Sequence, residues 1–189
     1  MLKATARNQY VKKLTALTQE EYDTATALIF HKFCQYPWPL VRNVLSYSPM
    51  RTKREFDSLL FEDQFRSTLP GIVICWPKIN PSDKSMEAHE INNEKFYTKN
   101  KFNILEPLDG FIISPNQLEI VFVPSSGIDK RGYRIGHGMG YYDRYLSRCS
   151  PQTLKVGISF FEPFDGFDDI HAFDVPLNIC ITPQRIYEF

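Results

Sequence analysis

Apolar residues at Ala6, Tyr10, Val11, Leu14 and Leu17 recur at helical intervals, with Lys3, Arg7, Lys12 and Lys13 interleaved. The chain therefore opens on a predicted amphipathic helix with a basic face. Thr18 followed by Glu21 has the capping-box spacing, and Tyr22, Ala25, Ile29 and Phe33 keep the helical period until Pro37. A second helix is predicted to run to about Gln35. Residues 44–47 read as a short strand, and Phe56, Leu59, Leu60 and Phe65 as a helix ending near Pro70. Gly-Ile-Val-Ile-Cys-Trp at 71–76, closed by Pro77, is a continuous apolar run bounded by turn residues. Such a run between helical segments predicts a parallel strand covered on both faces.

Residues 78–101 are polar and without a clear period, which predicts an irregular excursion or a short hairpin. Three further strands are predicted at 120–124, 154–159 and 179–182, with a helix at 141–148. This alternation describes an α/β protein with a mainly parallel sheet, and residues 1–189 are expected to form one domain. There is no internal repeat and no low-complexity segment.

Composition adds exclusions. The chain is 43% hydrophobic and 23% charged, ordinary for a soluble globular protein. Lys plus Arg and Asp plus Glu both number 22, which removes the global positive field of a general nucleic-acid binder. Any anion site must be local. The longest apolar runs are too short to span a bilayer and the N-terminal segment lacks an apolar signal core, so a cytoplasmic location without a membrane is expected. Cys34, Cys75, Cys149 and Cys180 have no paired spacing of the kind zinc sites use and read as reduced structural thiols.

The candidate chemistry is concentrated in Arg134-Ile135-Gly136-His137-Gly138-Met139-Gly140-Tyr141-Tyr142-Asp143. Alternate glycines let backbone N–H groups approach an anion, and an arginine before them with a helix N-terminus after them adds positive potential. The spacing matches neither the dinucleotide fingerprint nor the P-loop. A tight structural loop would also explain the glycines. Asp143 has two readings: a first-turn carboxylate stabilised by the helix dipole, or a carboxylate that holds a divalent cation against bound phosphate.

Pro124, Asp129, Gly132, Arg134 and the stretch from Gly136 to Arg144 resemble the signature of the 5-formyltetrahydrofolate cyclo-ligases, also called 5,10-methenyltetrahydrofolate synthetases. The similarity extends to Lys3 and Arg7, to Glu55-Phe56-Asp57-Ser58 after Tyr47, to Phe102-Asn103-Ile104-Leu105-Glu106-Pro107, and to Asp174 with the residues that follow it up to Thr182. The resemblance implies a three-layer α/β/α fold of the NagB/RpiA/CoA-transferase-like type. It also implies ATP- and Mg²⁺-dependent closure of 5-formyltetrahydrofolate to 5,10-methenyltetrahydrofolate, with ADP and phosphate released. ATP would be contacted by Lys3, Arg7, Arg134, Ile135, Gly136, His137, Gly138, Met139, Gly140, Tyr141 and Tyr142. The folate would be contacted by Met50, Glu55 and Phe102 and, from the loop, by His137, Gly138, Met139, Gly140 and Tyr141. Arg134 and Asp143 would be catalytic, with Asp143 and Asp174 holding Mg²⁺. The expected partners are ATP and the folate, with or without a polyglutamate tail, but no nucleic acid, and the expected state is a monomer.

The chain departs from the family pattern at several places, among them His137, at a variable loop position that is often aromatic or basic. Met139 stands where glycine or lysine is common, Asn178 where an acid is common, and the stretch from Tyr47 to Glu55 is slightly longer than usual. Two rivals use the same residues: a non-catalytic folate-, nucleotide- or RNA-binding relative, and a kinase of some other small molecule. Glu55 and the segment 102–107 favour folate over the second. Joint presence of Lys3, Arg7, Glu55, Asp143 and Asp174 speaks against the first.

Overall fold

The computed structural model describes residues 1–91, 97–101, 103–136 and 138–189. Helix α1 spans Lys3–Ala16 and α2 spans Gln19–Gln35. The predicted capping box is present: Glu21 N–H donates to Thr18 Oγ1 at 3.1 Å and Thr18 N–H to Glu21 Oε2 at 2.8 Å. Strand β1 is Asn43–Leu45, α3 is Leu59–Thr68 and β2 is Val73–Asn80. The polar stretch forms a hairpin, with β3 at Ser85–Glu90 antiparallel to β2. Short strands β4 (Tyr97–Lys99), β5 (Leu105–Pro107) and β6 (Ile112–Ile113) follow. The rest of the framework is β7 (Ile120–Val123), α4 (Tyr141–Leu146), β8 (Leu154–Ile158), β9 (Ile179–Ile181) and β10 (Ile186–Glu188).

The main sheet has eight strands in the order β10-β9-β8-β7-β1-β2-β3-β6, and β4 pairs with β5 in a separate ribbon. Strands β9, β8, β7, β1 and β2 are parallel neighbours, while β10, β3 and β6 are antiparallel. Numbered in chain order, the parallel strands lie 2-1-3-4-5, so the chain reverses its direction of travel between β1 and β7. Clefts at such a switch point, beyond the strands' carboxyl ends, are where open α/β sheets bind ligands.

Both faces of the parallel strands are buried. Val44, Ile120, Phe122, Val156 and Ile181 pack with Phe33, Phe61 and Phe65 of α2 and α3. Leu45, Val121, Val123 and Cys180 pack with Tyr145 and Leu146 of α4. Phe33 and Phe61 stack with ring centres 3.8 Å apart, and burying each such ring contributes roughly 2–3 kcal/mol. Gly157 in β8 has a packing role, since a Cβ there would collide with the side chains of Leu177 and Ile128. Among the described residues no helix is long and apolar enough to cross a membrane.

Three expectations need correction. Strand β1 ends at Leu45 rather than Tyr47, and α4 stops at Leu146 rather than Arg148. Strand β2 continues through Pro77 to Asn80. Cys75 O accepts from Ser46 N–H, and Ile79 N–H donates to Glu106 Oε1 at 3.2 Å. Alternate residues 75, 77 and 79 thus face away from β3, and Pro77 lies past the end of β1, where its missing N–H breaks no ladder bond.

Candidate functional site

The segments leaving the carboxyl ends of β1 and β7 carry most of the expected residues. After β7 the chain makes a turn held by Asp129, which is fully buried. Its carboxylate accepts from the Arg131, Tyr133 and Phe167 amides and from the Arg131 guanidinium. Ile128 and Arg134 then form an antiparallel bridge, which fixes the point where the glycine loop begins. Gly138 and Gly140 have φ of 83° and 66°, so two of the three glycines need the left-handed region. A Cβ on Gly136 or Gly138 would meet nothing within 4 Å, which leaves their backbone open to approach.

Arg134 is turned inward and is 7% exposed. Its Nη2 donates to Asp143 Oδ1 at 2.7 Å and its Nη1 to Val175 O at 2.6 Å. Val175 N–H donates to the same Asp143 oxygen at 3.1 Å. Asp143 is thereby clamped against the segment that carries Asp174. Asp174 in turn accepts from Lys3 Nζ at 2.5 Å and His171 N–H at 2.9 Å through Oδ2. Burial alone would raise the Asp174 carboxyl, but the Lys3 and His171 hydrogen bonds and charges outweigh it and hold the pKa below the ordinary carboxylate value. One helical turn after Lys3, Arg7 Nη2 donates to Gly136 O at 2.6 Å, and its buried Nε has no partner among the described residues. Helix α4 has only six residues, so these cations dominate over any helix-dipole contribution to the local potential.

The residues fit a divalent cation. Asp143 Oδ2 and Asp174 Oδ1 accept no hydrogen bond from the described residues. No group of three or more His, Cys, Asp or Glu able to hold a metal occurs among the described residues. Two carboxylates with a substrate's phosphate oxygens are a donor set suited to Mg²⁺, which keeps several waters and takes few protein ligands.

The second group of residues follows β1. A single 3-10 turn at Arg51–Lys53 brings Glu55 back so that its Oε2 accepts from Met50 N–H at 2.8 Å. Tyr22 Oη donates to Glu55 O at 2.9 Å, and the Tyr22 ring stacks on Phe160 at 4.8 Å with the Arg54 guanidinium on the ring at 4.7 Å. The Glu55 charge reaches Tyr47 and Tyr142: burial pushes both phenols well above their ordinary pKa and the carboxylate adds to the shift, while Arg134 opposes it at Tyr142. Tyr142 therefore lies within the fields of both Glu55 and Arg134. Among the described residues the buried hydroxyls of Tyr141 and Tyr142 have no hydrogen-bond partner, which leaves two donors for a ligand.

Lys3, Arg7, Arg134, Gly136, Asp143 and Asp174 are thus tied into one network, and Met50 with Glu55 into another, with Tyr142 influenced by both. Ile135 is fully buried and packs with Ala6 and Phe167, so its side chain belongs to the core. Met139 is exposed at 40%. Phe102 and His137 lie outside the described residues. Asn178 accepts from Lys155 N–H at 3.0 Å, where β8 and β9 begin, at the opposite end of the strands from the site. The sequence reading missed Tyr10, Tyr22, Tyr47 and Phe160 around Glu55, because aromatics at core spacing carry no separate signal. It also missed the Val175 backbone, for which no sequence signal exists.

The sequence profile of the 5-formyltetrahydrofolate cyclo-ligase family matches residues 2–159. The chain belongs to this family. It is 28% identical to the 5-formyltetrahydrofolate cyclo-ligase of Mycoplasma pneumoniae, over 97% of this chain and 100% of that protein. Identity to the Mycoplasma genitalium enzyme of the same name is 30%, over 75% of this chain and 74% of the other. The NMR structure of the Aquifex aeolicus 5,10-methenyltetrahydrofolate synthetase superposes with a TM-score of 0.80 at 25% identity, covering 100% of this chain and 93% of that one. The synthetase structure from Mycoplasma pneumoniae gives 0.74 at 29%, with 97% and 99% covered. These cyclo-ligase relatives share the three-layer α/β fold that the family resemblance implied, here with helices α2 and α3 on one face of the sheet and α4 on the other.

Proposed function

We propose that this protein is an ATP-dependent 5-formyltetrahydrofolate cyclo-ligase whose site has a nucleotide end and a folate end. The observation that carries this reading is the convergence of Lys3, Arg7, Arg134, Asp143 and Asp174 beyond the strands' carboxyl ends. Lys3, Arg7 and the loop amides hold the triphosphate, and Asp143 and Asp174 hold Mg²⁺. When bound, the metal neutralises charge on the phosphates. Arg134 keeps Asp143 in place and supplies a fixed positive charge where the transferring phosphoryl group passes.

At the folate end Glu55, Met50 and the surrounding tyrosines position the pterin. The formyl oxygen attacks the γ-phosphorus, and the bond from that phosphorus to ADP breaks with its electron pair leaving on ADP. N10 then attacks the formyl carbon, the carbon–oxygen bond breaks with its pair leaving on phosphate, and the N10 proton passes to solvent. The chain's task is positioning and charge neutralisation. No thiolate competes as a nucleophile: burial pushes Cys149 up to about 11 and Cys75 to about 12, and raises Cys34 and Cys180 as well. The protein acts in the cytoplasm as a monomer, on folate with or without a polyglutamate tail.

The test is direct. Purified protein mixed with 5-formyltetrahydrofolate, Mg²⁺ and ATP is expected to generate the methenyl chromophore, and omission of ATP abolishes it. Folded protein that makes no ATP-dependent product contradicts the reading.

A further inference from the structure

We infer that the base of the bound nucleotide stacks on Phe173, which makes this exposed aromatic the base-binding platform of the site. The inference rests on the ATP reading above and adds a residue that the sequence motifs do not include.

Helix α1 works as a ruler for the bound nucleotide. At one end Tyr10 Oη accepts from Phe160 N–H at 3.2 Å, Phe160 stacks on Tyr22, and Tyr22 Oη donates to the Glu55 carbonyl. That end of the helix therefore belongs to the folate. Arg7 follows, on Gly136, and then Lys3, on Asp174. From Tyr10 to Lys3 the helix rises about 10 Å, enough to lay a triphosphate along it. With its γ-phosphate at the folate, the nucleotide must carry its ribose and base beyond Lys3.

Beyond Lys3 two exposed apolar side chains stand beside the Met1–Asp168 ion pair. Phe173 is 86% exposed and Leu2 is 55% exposed, and each is the chain neighbour of one member of the Lys3–Asp174 pair. The loop that carries Phe173 is fixed: Lys3 N–H donates to Asp169 Oδ1 at 2.8 Å, Asp174 N–H to His171 O at 3.0 Å, and His171 N–H to Asp174 Oδ2 at 2.9 Å. A phenyl ring left in water on a loop clamped at both sides is a preorganised stacking surface. The fold does not require it, since Phe173 belongs to none of the buried clusters. Stacking uses the face of the ring and makes no base-specific hydrogen bond, so ATP and GTP depend on it alike.

The experiment compares Mg-ATP with Mg-tripolyphosphate, which has the phosphates and no base, by calorimetric titration of the wild type and of Phe173→Ala, Phe173→Leu and Phe173→Trp. Stacking on an aromatic predicts that Phe173→Ala weakens ATP by roughly tenfold and leaves tripolyphosphate unchanged. Phe173→Leu, which keeps an apolar side chain without the ring, does not recover the affinity. Phe173→Trp recovers it, and the added indole emission is quenched by ATP and not by tripolyphosphate. Equal ATP affinity in the wild type and Phe173→Ala overturns the inference, as does an equal loss of both ligands. A wild type that binds neither ligand overturns the ATP reading, and the inference with it.

Discussion

At the proposed nucleotide end the side chains are charged and already engaged within the protein: Lys3 with Asp174, Arg134 with Asp143, and Arg7 with the Gly136 carbonyl. At the proposed folate end the Glu55 carboxylate is anchored by a backbone amide, and its charge adds to burial in raising the Tyr47 and Tyr142 phenols. The first arrangement preorganises charge and, in the proposed function, would exchange one set of ion contacts for another on binding phosphates and metal. In the proposed function the second presents shape and hydrogen-bonding groups to the pterin ring system. The two differ because a triphosphate needs charge cancelled, whereas a pterin needs faces and edges matched.

The sharpest way to break this contrast is Arg134→Ala. It removes the guanidinium that fixes Asp143 and leaves that half-buried carboxylate unpaired, so kcat is expected to fall by about 10³-fold or more in the methenyl assay. A residual rate near wild type would mean that the nucleotide end is not organised by this pair. Glu55→Gln should act only at the other end. Glutamine retains an acceptor for Met50 N–H and loses the charge, so the KM for folate should rise by about 10- to 100-fold while the KM for ATP stays put. Equal increases in both constants would erase the division between the ends.

Two carboxylates, Glu62 in the core and Asp174 in the site, carry opposite pH signatures. Glu62 of α3 is 4% exposed, and its Oε1 accepts from the Trp76 indole at 2.8 Å. Burial pushes its carboxyl from the ordinary 4.5 up to about 7, against the lowering effect of that hydrogen bond. Between these values the native state binds the proton and the unfolded state does not, so stability falls as pH rises from about 4.5 to 7, by on the order of 3 kcal/mol. Asp174 is depressed, so the stability it contributes is present above the unfolded carboxylate pKa and is lost as pH falls through the folded value. Urea denaturation across this range should show the Glu62 slope flatten in Glu62→Gln and persist in Asp174→Asn. A slope unchanged in Glu62→Gln would place its origin elsewhere. The smallest effect is expected from Met139→Lys, which adds an exposed cation to the loop and should lower the KM for ATP only about two- to fivefold at low salt. No salt-dependent change would show that position 139 lies outside the phosphate field.

Sequence patterns located the parallel strands and helices well because both faces of the sheet are buried, which leaves continuous apolar runs such as 120–123, and because the Thr18–Glu21 cap is local. They did not locate the full length of β2, since the consequence of Pro77 depends on where β1 happens to end. Strands β5, β6 and β10 are two or three residues each, too short for a period to register. The charged residues of the nucleotide end were legible through their motifs. The clamp on Asp143 was not, because half of it is the Val175 backbone, and the tyrosines around Glu55 read as core because they are largely buried.

The central claim is that a phosphoryl group passes from the nucleotide end onto the formyl oxygen held at the folate end. It is tested most directly by turnover of 5-formyltetrahydrofolate carrying ¹⁸O in the formyl group, with mass analysis of the released phosphate. The account predicts that the label appears in inorganic phosphate. Label released to water, with phosphate unlabelled, would contradict it.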